Sequence, residues 1–320
     1  MRFGTSIPQH LLVRAVEEGK TKEVAATLAV IDQAGFEWIR IGDHIAHPGI
    51  SHQENEDLDA VVYGDPFAVI SWLSALNSNL RFVLGVLILP LRHPVLVAHA
   101  AATADRLSSG RVILGLGSGY ARQEFAAVGV DYAERFARTE DHVQAIRKLL
   151  DEPRASFEGK FTHLDGVALT CKPAQDHLPI WLGGVGPKGA DRAARLGDCW
   201  FPSLSGYGRP PGLTPRDVAS RGAELQGVRK ELGLPRLEIV GSAALGMSFI
   251  NDPKPLEGPA DPRDRHLNGT GTAEDLVHLL KAHEEAGLDG VVMDLHTEES
   301  LEGCRRSAGI FAERVRHHFS

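Results

Sequence analysis

The stretch Val112-Ile113-Leu114-Gly115-Leu116-Gly117-Ser118-Gly119-Tyr120, followed by Ala121-Arg122-Gln123-Glu124-Phe125, decides how the rest of the chain is read. A short apolar run opened by β-branched residues ends in alternating glycines and gives way to helix-forming residues. This is the pattern of a buried strand, a turn where backbone approaches something closely, and a helix start. The i, i+3, i+4 spacing predicts Tyr120, Gln123 and Glu124 on one face at the helix mouth, positioned over a bound ring.

The same alternation recurs on both sides of this unit. Strand patterns are predicted at 2–7, 37–41, 81–89, 112–117, 179–183, 199–202, 237–245 and 290–294. Helical patterns fall at 21–35, after Asp65-Pro66, at 94–107, around 139–150, at 187–196, near 216–232, at 272–286 and at 301–317. Asp65 as cap with Pro66 at the first helical position is a strong start signal. Eight βα units favour an α/β fold of the (β/α)8 TIM-barrel class over an open doubly wound sheet. The chain is expected to form one domain over 1–320, with a hairpin inserted at about 155–171 and loops at about 205–215 and 251–271. The composition of those loops suits mobile lids.

Composition excludes several classes. The 320 residues carry a net charge of −8 with both signs scattered, so no basic stripe recommends nucleic acid. Three widely spaced cysteines form no CxxC pair, which points to a reducing compartment and no structural zinc. The N-terminal residues lack the apolar core of a signal peptide, and no apolar run is long enough for a bilayer. A cytoplasmic protein with no membrane partner is the expectation.

In a barrel of this class, ligands sit at the carboxyl ends of the strands. After the second predicted strand come Asp43 and His44, then His47. His44 suits proton transfer or hydrogen bonding to a cofactor heteroatom; the alternative is a loop histidine bonded to backbone. A metal reading of Asp43, His44 and His47 lacks a second ligand cluster of recognised spacing, so no metal is expected. Gly85 within the third strand hints at a bulge, against the alternative of a plain buried strand. Gly115-x-Gly117-x-Gly119 fails the dinucleotide pattern, because Tyr120 stands where its last glycine belongs. The glycines would instead offer a flat surface to a planar ligand, or form a tight turn without one. After the fifth strand, Gly183, Gly184, Val185 and Gly186 precede Pro187, which suits an anion site or a simple turn. Ser203 adds a hydroxyl after the sixth strand. Glu124 and Asp294 are candidate carboxylates, and no GxSxG nucleophile elbow occurs.

Taken together, these segments resemble the bacterial luciferase-like oxidoreductases, and within them the coenzyme F420-dependent subgroup. The likeness runs from Leu89-Pro90-Leu91-Arg92-His93-Pro94 through Asp105-Arg106-Leu107-Ser108-Ser109-Gly110-Arg111 and the glycine turn. It continues through Phe157-Glu158-Gly159-Lys160-Phe161, Lys172-Pro173, Pro179-Ile180-Trp181-Leu182-Gly183-Gly184 and Ala194-Arg195-Leu196-Gly197-Asp198-Cys199-Trp200. The resemblance implies a TIM barrel holding a deazaflavin or flavin at the strand ends. It implies a non-proline cis peptide or bulge within Val86, Leu87 and Ile88, backing the central ring. It places Asp43 and His44 near the ring, a phosphate on Gly183, Gly184, Val185, Gly186 and Ser203, and Gly117, Gly119, Tyr120, Gln123 and Glu124 near cofactor or substrate. Two departures matter. The deazaflavin-dependent sugar-phosphate dehydrogenases have a tryptophan shortly after Asp-His, where this chain has Ile45-Ala46-His47-Pro48, and a glutamate where Tyr120 stands.

The function so implied is hydride transfer between reduced F420 and a small organic substrate with a conjugated C=C, imine or carbonyl. His44 is the favoured proton donor, with Tyr120 its rival and Glu124 a further catalytic candidate. The alternative cofactor is FMN, delivered reduced by a partner and used for monooxygenation with oxygen. A flavin or F420 reductase partner and a homodimer are compatible with the family. Two other readings are a non-catalytic flavin-binding barrel and a metal-dependent hydrolase.

Overall fold

A computed structural model describes residues 1–46, 62–77, 79–205, 212–243, 261–267, 271–294 and 300–319. In chain order the elements begin β1 (Arg2–Ser6), α1 (Gln9–Glu17), α2 (Thr21–Gln33), β2 (Trp38–Ile41), α3 (Pro66–Leu76), β3 (Arg81–Leu84) and β4 (Leu87–Ile88). Then come α4 (Pro94–Leu107), β5 (Val112–Gly117), α5 (Arg122–Ala127), α6 (Arg135–Asp151), β6 (Ala155–Glu158), β7 (His163–Val167) and β8 (Ile180–Gly183). The remainder is α7 (Pro187–Leu196), β9 (Cys199–Phe201), α8 (Pro215–Glu231), β10 (Glu238–Ala243), α9 (Ala273–Glu285), β11 (Gly290–Asp294) and α10 (Leu301–Arg314). The fold class is the (β/α)8 barrel expected from the alternation, with the antiparallel β6–β7 hairpin inserted between repeats. No described helix is long and apolar enough to cross a membrane.

Two compact units are distinguished. The first comprises Met1–Arg40, Asn79–Arg81 and Trp181–Ser320. Its strands pair in parallel: β1 with β2 and β11, β11 with β10, β10 with β9, and β9 with β8. Level partners on parallel strands project to the same side, and side chains alternate along each strand. Gly4 is level with Trp38 and Val292, so all three share a face. Trp38 meets Trp181 edge to face at 5.2 Å, and Trp181 meets Phe201 at 5.3 Å. All three rings are buried, each worth roughly 1.5–3 kcal/mol on burial. Glycine at position 4 is required, since a Cβ there would lie 3.0 Å from both Trp38 and Val292 side chains. One step nearer the strand ends, the same face turns polar with Ser6, Arg40 and Asp294, while Ser242 and Ser203 are level with Val292.

The second unit comprises Ile41–Ser78 and Phe82–Ile180. Here β5 pairs with β3 through Phe82–Val112 and Val83–Ile113, and with β4 through Leu87–Leu116 and Ile88–Gly117. The single strand expected over 81–89 is therefore broken. The Gly85–Val86 peptide is cis, and the chain turns into a short 3-10 segment at Leu89–Leu91. This lies one residue ahead of the Val86–Ile88 span the resemblance suggested. Asp65 caps α3 as its sequence predicts, accepting from the amides of Phe67 and Ala68. Asp105, fully buried at the end of α4, accepts from the amides of Val112, Ala174 and Gln175 and from the Gln175 side chain. It ties the start of β5 to the segment that precedes β8.

In α9, His283 is fully buried, and neither ring nitrogen has a partner among the described residues. Burial, with a smaller contribution from His266, pushes its pKa down to about 3. The unfolded chain, titrating near the ordinary histidine value, takes up this proton first. The contribution to stability is thus complete above about pH 6.5 and is lost as pH falls toward 3. His283→Leu is expected to flatten the acid slope of unfolding free energy by about 1.4 kcal/mol per pH unit between roughly pH 6 and 4. Urea titrations across that range check this; an unchanged slope refutes it.

Candidate active site

The second unit brings Glu124 and Tyr120 onto the imidazole of His44, with Asp43 next to it in the chain. Asp43 and His44 follow β2 directly, so their positions are set by a buried strand end. Asp43 is buried, and its carboxylate is fully engaged. Oδ2 accepts from the Ile88 amide at 2.8 Å and from Arg92 at 2.7 Å, while Oδ1 accepts from the other Arg92 nitrogen at 2.8 Å. This bidentate clamp joins the Asp-His segment to the residues beyond the cis peptide. Asp43 thus acts on the site by holding backbone in place.

His44 is gripped at both ring nitrogens. Nδ1 lies 3.0 Å from Oε2 of Glu124, and Nε2 lies 3.3 Å from the Tyr120 hydroxyl. Glu124 is fully buried, and its Oε1 accepts from the Ile45 amide at 2.9 Å. A carboxylate only accepts, so Nδ1 carries a proton, and in the neutral ring Nε2 is the acceptor. Tyr120 is then the donor to Nε2. Burial, with smaller contributions from Tyr63 and Glu124, pushes the Tyr120 pKa up to about 12, so the phenol keeps its proton at neutral pH. Tyr63 stacks edge to face on His44 at 4.9 Å.

The expected shared helical face is corrected. Gly119 adopts φ +71° and Ala121 is extended, so α5 begins only at Arg122. Tyr120 and Glu124 reach His44 from outside and inside the helix respectively, while Gln123 points outward and is exposed. The glycines also have a different role from an open flat surface. A Cβ on Gly115 would overlap the Leu84 carbonyl, and one on Gly117 would come within 2.5 Å of Val86. A Cβ on Gly119 would press on Ile88 and Phe125. The missing side chains make room for the β3–β4 segment. Of the residues proposed to back a ring, Leu87 and Ile88 are buried, and Val86 is half-buried beside the half-buried Gly85.

In the first unit, Gly184 has φ +138°, a Cβ on it would lie 3.0 Å from the Gly189 α-carbon, and one on Gly189 would lie 3.1 Å from the Gly184 α-carbon, so both positions are tight for a side chain. The carbonyls of this turn are drawn away: Gly184 to the Trp200 indole at 2.8 Å and Val185 to Arg221 at 2.7 Å. The amides of Val185, Gly186 and Lys188 have no hydrogen-bond partner among the described residues. Free amides at the start of α7 form a donor set that fits an anion. Ser203 is level with Ser242 and contacts Ser205 at 3.2 Å. Among the described residues no group of three or more His, Cys, Asp or Glu could hold a metal. His47 and most of the loops predicted at 205–215 and 251–271 lie outside the described residues.

Sequence reasoning did not single out Arg92, Tyr63 or Arg40 as site residues. Arg92 belongs to a quoted motif but its partner is 49 positions away. Tyr63 reaches His44 from later in the chain, and Arg40 meets partners 202 and 254 positions away, contacts that no local pattern announces.

Residues 1–210 match the sequence profile described as luciferase-like monooxygenase. An F420-dependent glucose-6-phosphate dehydrogenase from Kineococcus radiotolerans is 34% identical over 171 residues, covering 52% of this chain and 48% of that protein. An F420-dependent hydroxymycolic acid dehydrogenase from Mycobacterium tuberculosis is 32% identical over 193 residues, covering 59% of this chain and 51% of that protein. The chain therefore spans about half the length of each of these two relatives. The monooxygenase RslO1 from Streptomyces bottropensis superposes with a TM-score of 0.78 at 22% identity, covering 100% of both chains.

Proposed function

Since the chain belongs to the luciferase-like monooxygenase family and is an oxidoreductase, we propose that it transfers a hydride between coenzyme F420 and a small organic molecule. The F420 dependence of two relatives supports the cofactor. The observation that carries the reading is His44, fixed at both nitrogens and adjacent in the chain to Asp43, which holds Ile88 just beyond the half-buried Gly85–Val86 backbone.

Each unit receives its own assignment. In the second, the Val86 backbone and the His44 and Tyr120 side chains meet the deazaflavin ring. In the first, the amides of Val185, Gly186 and Lys188 suit an anionic group such as a phosphate, with Ser203 as a further donor. Reduced F420, when bound, supplies a hydride to an electrophilic carbon. The chain orients the reactants and manages the proton. His44 Nε2 takes up or releases that proton, and the Glu124 carboxylate stabilises the ring while it is charged. Tyr120, protonated at neutral pH, bonds Nε2 and helps to hold the ring in place. The absence of the tryptophan after Asp-His, and Tyr120 in place of glutamate, argue against a sugar phosphate as substrate.

Titration of the purified protein with F420 and separately with FMN, followed by absorbance and fluorescence, tests this. F420 is expected to bind about tenfold or more tightly than FMN, a difference of about 1.4 kcal/mol. Tight FMN binding with no affinity for F420 would overturn the proposal in favour of an FMN monooxygenase.

A further inference from the structure

The polar layer above Trp38 in the first unit is used neither by the fold's apolar core nor by the proton chemistry of His44. Ser6, Arg40 and Asp294 are level with one another across β1, β2 and β11. Arg40 donates to Asp294 Oδ1 at 2.5 Å and to Ser242 Oγ at 2.9 Å. Ser6 donates to the same Asp294 oxygen at 2.5 Å. Asp294 Oδ1 is thus saturated, whereas Oδ2 has no partner among the described residues. The remaining N–H groups of Arg40 are in the same state, and Ser242, an acceptor here, keeps its hydroxyl proton available. The Arg40 side chain retains 19% of its accessible surface and that of Asp294 8%. The cluster is therefore open along one side.

Polar groups at strand ends with unspent donors and acceptors are costly unless something pairs with them. Charge decides what that partner is. Asp294 neutralises Arg40, so the layer exerts no net pull on an anion, and a carboxylate or phosphate would face Oδ2 at close range. A group that both accepts and donates matches the set: it accepts from Arg40 and Ser242 and donates to Oδ2. We propose that Arg40, Asp294 and Ser242 form a subsite for an uncharged hydroxyl or amide of the substrate, and that Asp294 makes the subsite reject carboxylates. The proposal rests on the hydride-transfer reading only in calling the ligand a substrate; the subsite's chemistry is independent of it.

The test uses the whole protein with no cofactor added, isotopically labelled at arginine. The Nε–H resonance of Arg40 is assigned by its loss in Arg40→Lys. The probes are cyclohexanecarboxamide and cyclohexanecarboxylate, which share one ring and differ in charge. The amide is expected to shift the Arg40 resonance saturably, with a dissociation constant at least about tenfold below that of the carboxylate. In Asp294→Asn the guanidinium charge is unopposed, and the preference is expected to invert in favour of the carboxylate by about tenfold or more. Equal binding or carboxylate preference in the unsubstituted protein overturns the proposal. So does the lack of any Arg40 response, or an unchanged preference in a folded Asp294→Asn. If that variant melts before it can be titrated, the ranking in the unsubstituted protein decides. Because F420 takes no part, an amide-selective response combined with failure to bind F420 refutes the F420 reading alone.

Discussion

Glu124→Gln is expected to reduce the chemical step by about 10²–10⁴-fold while the protein stays folded. The amide keeps one acceptor, and the Ile45 amide, a fixed backbone donor, claims it. The NH2 group is then turned toward His44 Nδ1, a position now held by a carboxylate oxygen at 3.0 Å. A donor facing Nδ1 stabilises the tautomer with its proton on Nε2. That nitrogen then no longer accepts from Tyr120, and the ring loses the counter-charge it needs when protonated. Two measurements check this. Nitrogen NMR of the His44 ring is expected to show the proton moving from Nδ1 to Nε2. Single-turnover rates on any substrate the enzyme accepts should fall far more than cofactor affinity. An unchanged tautomer and an unchanged rate would mean Glu124 serves only the Ile45 amide.

Asp105→Ala is expected to cost about 3–5 kcal/mol of stability, a large part of what a typical domain has. The substitution leaves the Val112, Ala174 and Gln175 amides and the Gln175 side chain without their shared acceptor in a site closed to water. Asp105→Asn keeps one acceptor oxygen and is expected to fall between the two. Urea unfolding, read as the shift in midpoint at constant slope, measures the difference. A loss below about 1 kcal/mol would show that water replaces the carboxylate.

Much of the barrel was legible because its local signals are strong and agree. Pro94–Leu107 and Pro187–Leu196 begin at the predicted residues, since a proline at the first helical position fixes both the start and the dihedral angle. Val112–Gly117 and Gly290–Asp294 are unbroken apolar runs closed by turn residues or charge, and both appear as read. By contrast, Gln9–Glu17 was missed: it follows Pro8 with no side-chain cap and is only nine residues long. The break at Gly85 left only a single glycine as its trace, because the apolar pattern resumes immediately on the far side. In the site, Tyr120, His44 and Glu124 were named from their places at strand ends. Their actual joint role was not readable, since it depends on a hydrogen-bond triangle closing across 76 to 80 positions. The Arg92 clamp and the Arg40 layer were hidden for the same reason: charge pairing across strands has no sequence period.

Both ring nitrogens of His44 are controlled by one five-residue span, Tyr120 to Glu124, whose place is set by glycines fitted against the neighbouring strand segment. The histidine itself sits on a different piece of chain, locked by Arg92 through Asp43. Acid–base behaviour is in this sense a cassette. On the proposed role of His44, a lineage that swaps those five residues retunes how protons are handled, and the segment bearing the imidazole need not change at all.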